Sequence, residues 1–153
     1  MDLRVSPVTT ERFDVSKKRP RTLHINPLQT NEFCIAGTDT YVSIWDLRNM
    51  STMKYCLQTN YSCYGAYYNQ AGSHIMATTR DDHLMSFLYN DIQNASDPLN
   101  VQPTKRIKHV NYVHRFVTPF TAQPCSRFES YFLIGSNEYP RAVSVLHNIL
   151  NPD

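Results

Sequence analysis

An internal repeat is the feature of this sequence that most limits its fold. Residues 25–45 (INPLQTNEFCIAGTDTYVSIW) align without a gap on residues 67–87 (YYNQAGSHIMATTRDDHLMSF), at an offset of 42 residues. Residues of similar type coincide in the pairs Phe33–Ile75, Asp39–Asp81, Val42–Leu84 and Trp45–Phe87. Repetition at a fixed period indicates a fold in which one small unit stacks on the next, and an ungapped second copy argues against a chance pattern.

A third, looser copy covers residues 132–146 (FLIGSNEYPRAVSVL), with three extra residues in its turn near 139–141 and a leading strand predicted at 119–124. Each copy combines a turn signal, a short buried run and a run that alternates with period two, which is typical of β-hairpins. The alternating runs predict third strands near residues 41–46, 83–88 and 142–147, with little helix. Asp39 and Asp81 fall in the preceding turns, where a carboxylate can accept from backbone donors.

A period near forty, with short strands and a terminal Trp-Asp in the first copy, is typical of the blades of WD-repeat β-propellers. We therefore predict an all-β fold, a partial WD-repeat β-propeller of about three blades, each an antiparallel four-stranded sheet. Residues 1–20 are predicted to be an N-terminal segment with a basic run, and residues 21–153 the partial propeller, with blades at about 21–60, 61–103 and 104–153. A β-sandwich is the alternative. Because a closed ring needs about 4 to 8 blades, three blades would leave apolar faces and strand edges open.

Composition and motif content exclude several functional classes. Hydrophobic residues make up 41% of the chain and aromatic residues 12%, which is enough for a packed core. No apolar run reaches membrane-spanning length, so we predict no membrane partner. The sequence has no Ser-His-Asp spacing, glycine-rich phosphate loop or metal-ligand cluster, so we predict no enzyme activity, catalytic residue, metal, cofactor or small-molecule substrate. The basic run at 17–21 (KKRPR) has two interpretations, a nuclear import signal or a solvated loop.

The order of the motifs resembles one WD-repeat family, the group that includes the small subunit of the UV-damaged-DNA-binding complex and its nuclear relatives. The similar motifs are WDLR at 45–48, VTPF at 117–120 and IGS…PRAVSV at 134–145, and the resemblance covers about residues 20–147. It implies a nuclear, non-enzymatic DNA-binding protein of the DNA-damage-response and repair type. The partner it implies is duplex DNA, intact or damaged.

The segment 104–116 (TKRIKHVNYVHRF) is the candidate DNA contact, and we predict it to be a long connection between blades. It interleaves cations with aromatic residues, and no acidic residue lies between Asp97 and Glu129. Cations can neutralise phosphates, and a planar side chain can wedge into a destabilised base step. By resemblance, residues 114–116 occupy the hairpin that family members direct at a damaged duplex, and Arg141 matches an arginine facing the DNA backbone. The predicted DNA-binding residues are Lys105, Arg106, Lys108, His109, His114, Arg115, Phe116 and Arg141.

Two alternatives to DNA binding stay open. The segment can be a solvated basic loop in which Phe116 covers the core. The protein can also be a generic WD-repeat interaction scaffold without DNA binding.

The Trp-Asp-Leu-Arg motif is the candidate protein-binding site. It resembles the box by which family propellers dock on the large adaptor subunit of cullin-4 ubiquitin ligases, which implies that Trp45, Asp46 and Arg48 bind this partner. A planar guanidinium at a propeller rim can form bidentate bonds to a partner. In the alternative interpretation Trp45 packs between blades, Asp39 fixes the turn before its strand, and Arg48 pairs with Asp46 or another nearby carboxylate.

Overall fold

The sequence repeat folds into three successive antiparallel sheets, in a computed structural model that describes residues 12–111, 119–128, 130–136 and 138–147. The first sheet contains β1 (Pro20–Ile25), β2 (Glu32–Gly37), β3 (Tyr41–Asp46) and β4 (Tyr55–Gln58), in that order. The second contains β5 (Cys63–Tyr68), β6 (His74–Thr79), β7 (His83–Leu88) and β8 (Lys105–Lys108). A short helix, α1 (Tyr89–Gln93), follows β7. The third contains β9 (Gln123–Pro124), β10 (Phe132–Gly135) and β11 (Val143–Leu146).

The predicted all-β fold with antiparallel sheets is therefore confirmed. The third strands are β3 and β7 at the predicted residues, and β11 spans Val143–Leu146 within the predicted 142–147. Two details differ from the prediction. The second sheet extends to Lys108, past the boundary predicted at residue 103, and the third sheet has three strands rather than four among the described residues. No helix in these residue ranges has the length and apolar character needed to cross a bilayer.

The ungapped repeat alignment of the first two copies is wrong by one residue in the strands β1 and β5. Ile25 pairs with Phe33 in the first sheet, and the equivalent pair in the second is Tyr68 with Ile75, so Ile25 corresponds to Tyr68 rather than Tyr67. The turn after β1 is one residue longer than the turn after β5. Both turns begin at an asparagine whose backbone N–H donates to the carbonyl of the first residue of the next strand, Asn26 to Glu32 and Asn69 to His74.

The core lies between the sheets, which stack in chain order. We call the side of a sheet that faces the next sheet its forward face and the other side its back face. The forward face of the first sheet presents Cys34, Ala36, Val42 and Ile44, which are buried against the back face of the second, formed by Ala66, Tyr68, Ile75, Ala77, Met85 and Phe87. The forward face of the second sheet, including Met76 and Leu84, packs on the back face of the third, which presents Ala122, Phe132 and Ile134. Alternation along each strand places one set of apolar side chains on each face.

We call the first strand of each sheet, β1, β5 and β9, its inner strand. Side chains of one sheet accept hydrogen bonds from residues in or next to the inner strand of the following sheet. Thr22 Oγ1 accepts from Ala66 N–H at 3.2 Å and His24 Nδ1 accepts from Tyr68 N–H at 3.1 Å. In the second junction, Thr78 Oγ1 accepts from Ala122 N–H at 2.9 Å. These bonds satisfy buried N–H groups that no neighbouring strand of the same sheet reaches, and so the inner edge carries no large desolvation penalty.

The outer edge of the first sheet is covered by a segment that belongs to the second repeat. Cys56 N–H donates to Pro98 C=O and Gln58 N–H to Val101 C=O, both at 2.8 Å, while Val101 N–H donates back to Cys56 at 3.0 Å. Val101 thus forms a parallel bridge beside β4. An uncovered strand edge invites pairing with other chains, so this segment protects β4.

A buried polar cluster joins the start of β2 in the first sheet to α1. The Glu32 carboxylate is 1% exposed and accepts from Lys54 Nζ and from the Tyr89 hydroxyl. Burial, together with the Glu32 carboxylate, raises the pKa of Tyr89 above its ordinary value. Because a buried carboxylate is costly unless it is paired, Lys54 and Tyr89 are needed for the stability of this junction.

The buried side chain of His74 should make the folded protein less stable in acid. Its side chain is 4% exposed, its Nδ1 lies 2.8 Å from Ser73 Oγ, and its Nε2 has no partner among the described residues. Burial lowers the pKa of His74 from 6.5 to about 4. The unfolded imidazole therefore takes up a proton at higher pH than the folded one, so this contribution to stability is complete above pH 6.5 and falls as the pH drops toward 4. We expect a loss of about 2 to 3 kcal/mol.

Urea unfolding between pH 7.5 and 4 tests this expectation. His74→Asn keeps a polar atom near Ser73 but cannot take up the proton, so its free energy of unfolding should vary less with pH than that of the wild type. Equal pH dependence in the two proteins would show that His74 is not responsible.

Candidate functional site

The strand directions place the candidate residues at two opposite rims of the sheets. The β2–β3, β6–β7 and β10–β11 turns form one edge, which we call the upper rim. The β1–β2, β3–β4 and β5–β6 turns form the opposite edge, which we call the lower rim. Thr22 and His24 meet Ala66 and Tyr68 in the same order along their strands, so the first two sheets share this orientation. At the upper rim Lys108 lines the same cleft as Ser136 and Glu138, which places the β10–β11 turn at this rim too. The DNA-binding and partner-binding candidates can therefore be assigned to one rim or the other from the pairing of the strands.

The basic segment begins as a strand, which corrects the prediction of a long connection at 104–116. Residues Lys105–Lys108 form β8, with Lys105 opposite Ser86 and Lys108 opposite His83. Ile107 packs beside the core between the second and third sheets. One apolar residue on the packed side and charged residues elsewhere are typical of an outer-edge strand, which explains why the sequence looked like a loop.

The cations of β8 do not point to one side. Lys105 shares the face of Ile107, whereas Arg106 and Lys108 alternate to the other face. Arg106 is paired: its Nη2 lies 2.5 Å from Asp81 Oδ2 and 3.2 Å from His83 Nδ1. Lys105 also lies about 10 Å from Lys108 along the strand, at 3.3 Å for each residue. A single phosphate-binding row along β8 is therefore excluded.

The upper rim brings together Lys108, His109 and the turn that carries Arg141. Lys108 and His109 line a cleft of about 230 Å³ together with Ser136, Glu138 and Ser144 from the third sheet. His109 N–H donates to Asp82 C=O at 3.0 Å, which fixes the chain as it leaves β8. Arg141 is exposed in the β10–β11 turn, between Glu138 and Val143. No described carboxylate forms an ion pair with Lys108 or Arg141, so both charges are available to a ligand.

Sequence reasoning missed two further cations of this rim. Arg80 is exposed in the β6–β7 turn, and the Arg19 carbonyl accepts from Thr38 N–H at 3.1 Å, which fixes Arg19 beside the β2–β3 turn. The sequence signal for Arg19 was the basic run at 17–21. The rim also carries Asp39, Asp81, Asp82 and Glu138, so its charge is mixed.

Arg21, from the same run, lines a second cleft at the inner edge of the three sheets. Its guanidinium carbon lies 5.4 Å from the centre of the Tyr64 ring. The cleft, of about 390 Å³, is also lined by Thr22, Tyr67, Pro119 and Thr121. It therefore combines a cation with two aromatic rings. The predicted wedge residues His114, Arg115 and Phe116 lie outside the described residues.

On the lower rim, Trp45 is a core residue rather than a surface contact. It is 7% exposed and its Nε1 donates to Ser43 Oγ at 3.0 Å. It lies on the back face of the first sheet with Phe33 and Ile35, under Val15, Met50 and Met53. The expectation that Trp45 packs between two blades stays a prediction, because only the first sheet and residues next to it contact Trp45 in the part of the chain that the structure describes. Asp39, on the upper rim, was expected to accept from backbone donors of its own turn. Its carboxylate instead accepts from the Ser16 hydroxyl at 2.5 Å.

Arg48 forms a bidentate pair with Asp46. Its Nε donates to Oδ1 at 2.9 Å and its Nη2 to Oδ2 at 2.6 Å, and the Arg48 backbone N–H also donates to Oδ1 at 2.9 Å. These hydrogen bonds hold the pKa of Asp46 well below its ordinary value. The Arg48 side chain is nevertheless 70% exposed. Two of its five N–H donors are used, so a preoriented guanidinium edge remains for a partner.

Comparison of the sequence with protein-family models gave no match, and comparison with curated proteins gave no significant match. Among the residues that the structure describes, no three His, Cys, Asp or Glu side chains group closely enough to hold a metal ion.

Proposed function

We propose that the three sheets are blades of a WD-repeat β-propeller, and that the protein is a non-enzymatic nuclear protein of the DNA-damage-response type that binds duplex DNA. The sheets follow one another in chain order, each begins with its innermost strand, and equivalent hairpins recur at an offset of 42 residues in β2–β3 and β6–β7. These features support the propeller. The resemblance of the WDLR, VTPF and IGS…PRAVSV motifs supports the family and its nuclear location.

The observation that carries the functional proposal is the separation of exposed cations on two rims. Lys108, Arg141, Arg19 and Arg80 are exposed on the upper rim, and Arg48 is exposed on the lower rim. A protein arranged in this way can bind a polyanion at one rim and a protein at the other. This fits a substrate receptor that connects DNA to the cullin-4 ligase adaptor, with Asp46 and Arg48 as the docking residues and Trp45 as their support.

The alternative is a WD-repeat interaction scaffold without DNA binding. The pairing of Arg106 with Asp81 and the four acidic residues of the upper rim favour it, because they lower the positive potential there. The wedge by which family members enter a duplex is assigned to residues 114–116 by resemblance alone.

A duplex-binding assay at several salt concentrations tests the DNA proposal. Lys108→Ala and Arg141→Ala should each weaken binding to all duplexes and lower the magnitude of the log–log salt slope by about one unit, because each removes one phosphate contact. Arg48→Ala, which removes an exposed cation from the other rim, is the matched control and should leave the slope unchanged. If the upper-rim variants bind intact and mismatched duplexes as the wild type does, the scaffold proposal replaces this one.

A pull-down with the cullin-4 adaptor tests the second partner. Arg48→Ala should weaken docking roughly 5- to 30-fold, a loss typical of an important interface arginine. Arg48→Lys should weaken it too, because an ammonium keeps the charge but not the planar fork. Far-UV circular dichroism should be unchanged for both, since Arg48 is exposed, and Lys108→Ala serves as the control. If both Arg48 variants dock as well as the wild type, Arg48 does not bind the adaptor and only pairs with Asp46.

A further inference from the structure

The surroundings of the buried Asn111 side chain fix the orientation of its amide. Asn111 is 0% exposed, and its Nδ2 donates to the backbone carbonyls of Thr79 at 3.0 Å and His83 at 2.8 Å. A carbonyl oxygen only accepts, so the amide nitrogen must lie on this side and the amide oxygen on the other. The Asn111 backbone N–H also donates to the Asp82 carboxylate at 2.8 Å. The β6–β7 hairpin therefore holds Asn111 through three hydrogen bonds.

The orientation of Asn111 decides which nitrogen of His109 carries the proton. His109 Nδ1 lies 2.8 Å from Asn111 Oδ1. Because this oxygen only accepts, Nδ1 is the protonated nitrogen of the neutral ring and Nε2 carries the lone pair. Among the residues that the structure describes, none bonds His109 Nε2. The neutral ring is therefore an acceptor at Nε2, and this atom becomes a donor only when it takes up a proton.

The Nε2 edge of His109 belongs to the upper-rim cleft of about 230 Å³. Nδ1 is turned to the buried Asn111, so the opposite edge of the ring is turned to the cleft that His109 lines. The described lining holds one cation, Lys108, and one carboxylate, Glu138, whose formal charges cancel. While His109 is neutral, the lining thus has no net charge, and both Nε2 and Glu138 present acceptors that oppose a phosphate oxygen.

The charged and titratable groups around His109 come from several elements. They are Lys108 at the end of β8, Arg80, Asp81 and Asp82 in the β6–β7 turn, His83 at the start of β7, and Glu138 and Arg141 in the β10–β11 turn. The His83 ring lies 2.7 Å from the Asp81 carbonyl and is not part of the cleft. Imidazole is the side chain whose charge changes between pH 5 and 8, and His109 is the one imidazole in the described lining. A change in the charge of the cleft over this range is therefore assigned to His109.

We propose that His109 is a proton-dependent phosphate contact of the upper rim, and that Asn111 is the residue that positions it. When Nε2 takes up a proton, it donates a charge-assisted hydrogen bond to a phosphate oxygen, and the lining changes from neutral to singly positive. As the pH rises, Nε2 loses this proton and presents its lone pair, which repels the same oxygen. Duplex DNA therefore binds more tightly in mild acid and takes up a proton at His109 as it binds. The inference rests on the proposed binding of duplex DNA and adds its dependence on pH.

Duplex affinity measured from pH 8 to pH 6 at constant ionic strength tests the proposal. The affinity of the wild type should rise roughly 3- to 10-fold over this range. His109→Asn keeps an N–H that can donate to Asn111 but has no Nε2, so its affinity should vary less with pH. His147→Asn is the matched control: His147 is exposed after β11, at the end of that strand away from the β10–β11 turn, and this variant should vary with pH as the wild type does.

Nitrogen NMR of the His109 ring reads the position of the proton directly. At pH 8, without DNA, Nδ1 should carry the proton and Nε2 should not. Addition of duplex near pH 7 should protonate Nε2 as well. A proton on Nε2 instead of Nδ1 at pH 8, a wild-type affinity independent of pH, or equal pH dependence in wild type and His109→Asn would each overturn this inference and leave DNA binding in place. Absence of duplex binding by the wild type at every pH would overturn the proposed function together with it.

Discussion

The stacking of one sheet on the next depends on a hydrogen bond between a side chain and the inner strand of the following sheet. Thr22, His24 and Thr78 accept the N–H groups that the edge of that inner strand would otherwise leave unpaired in the core. Apolar burial brings the faces together without fixing direction, whereas these bonds specify which residue of one sheet meets which residue of the next. They thereby align the strands of neighbouring sheets, and this alignment separates the upper rim from the lower.

Much of the fold could be predicted from the sequence because the buried runs and the alternating strands carry the period-two pattern. The position of β3 and β7 followed from YVSIW and HLMSF. The one-residue shift between Ile25 and Tyr68 could not be predicted, because it depends on turn length after Asn26 and Asn69 rather than on residue type. Strand β8 was missed because its one packed residue, Ile107, stands among three cations, and pairing with β7 is a long-range contact that local pattern does not report.

The candidate site was predictable in composition but not in arrangement. The sequence indicated which residues are cationic, and it left open whether Arg48 pairs with Asp46, which the structure shows it does. It did not indicate that Arg106 is neutralised by Asp81, 25 residues away, or that Arg19 joins the rim of Lys108. Such pairings depend on strand register. Charge clusters in a sequence therefore overestimate the cationic surface that a ligand meets.

The segment around Val101 has a consequence for how the molecule opens. It lies in the connection between α1 and β8, yet it forms the outermost hydrogen bonds of the first sheet, on Cys56 and Gln58. The first sheet consequently cannot peel away from its outer side until the second repeat releases this connection, whereas no described residue covers β8 in the same way. Local opening is thus ordered along the chain, and a protease that cuts between α1 and β8 would unfasten a sheet whose own strands it never touches.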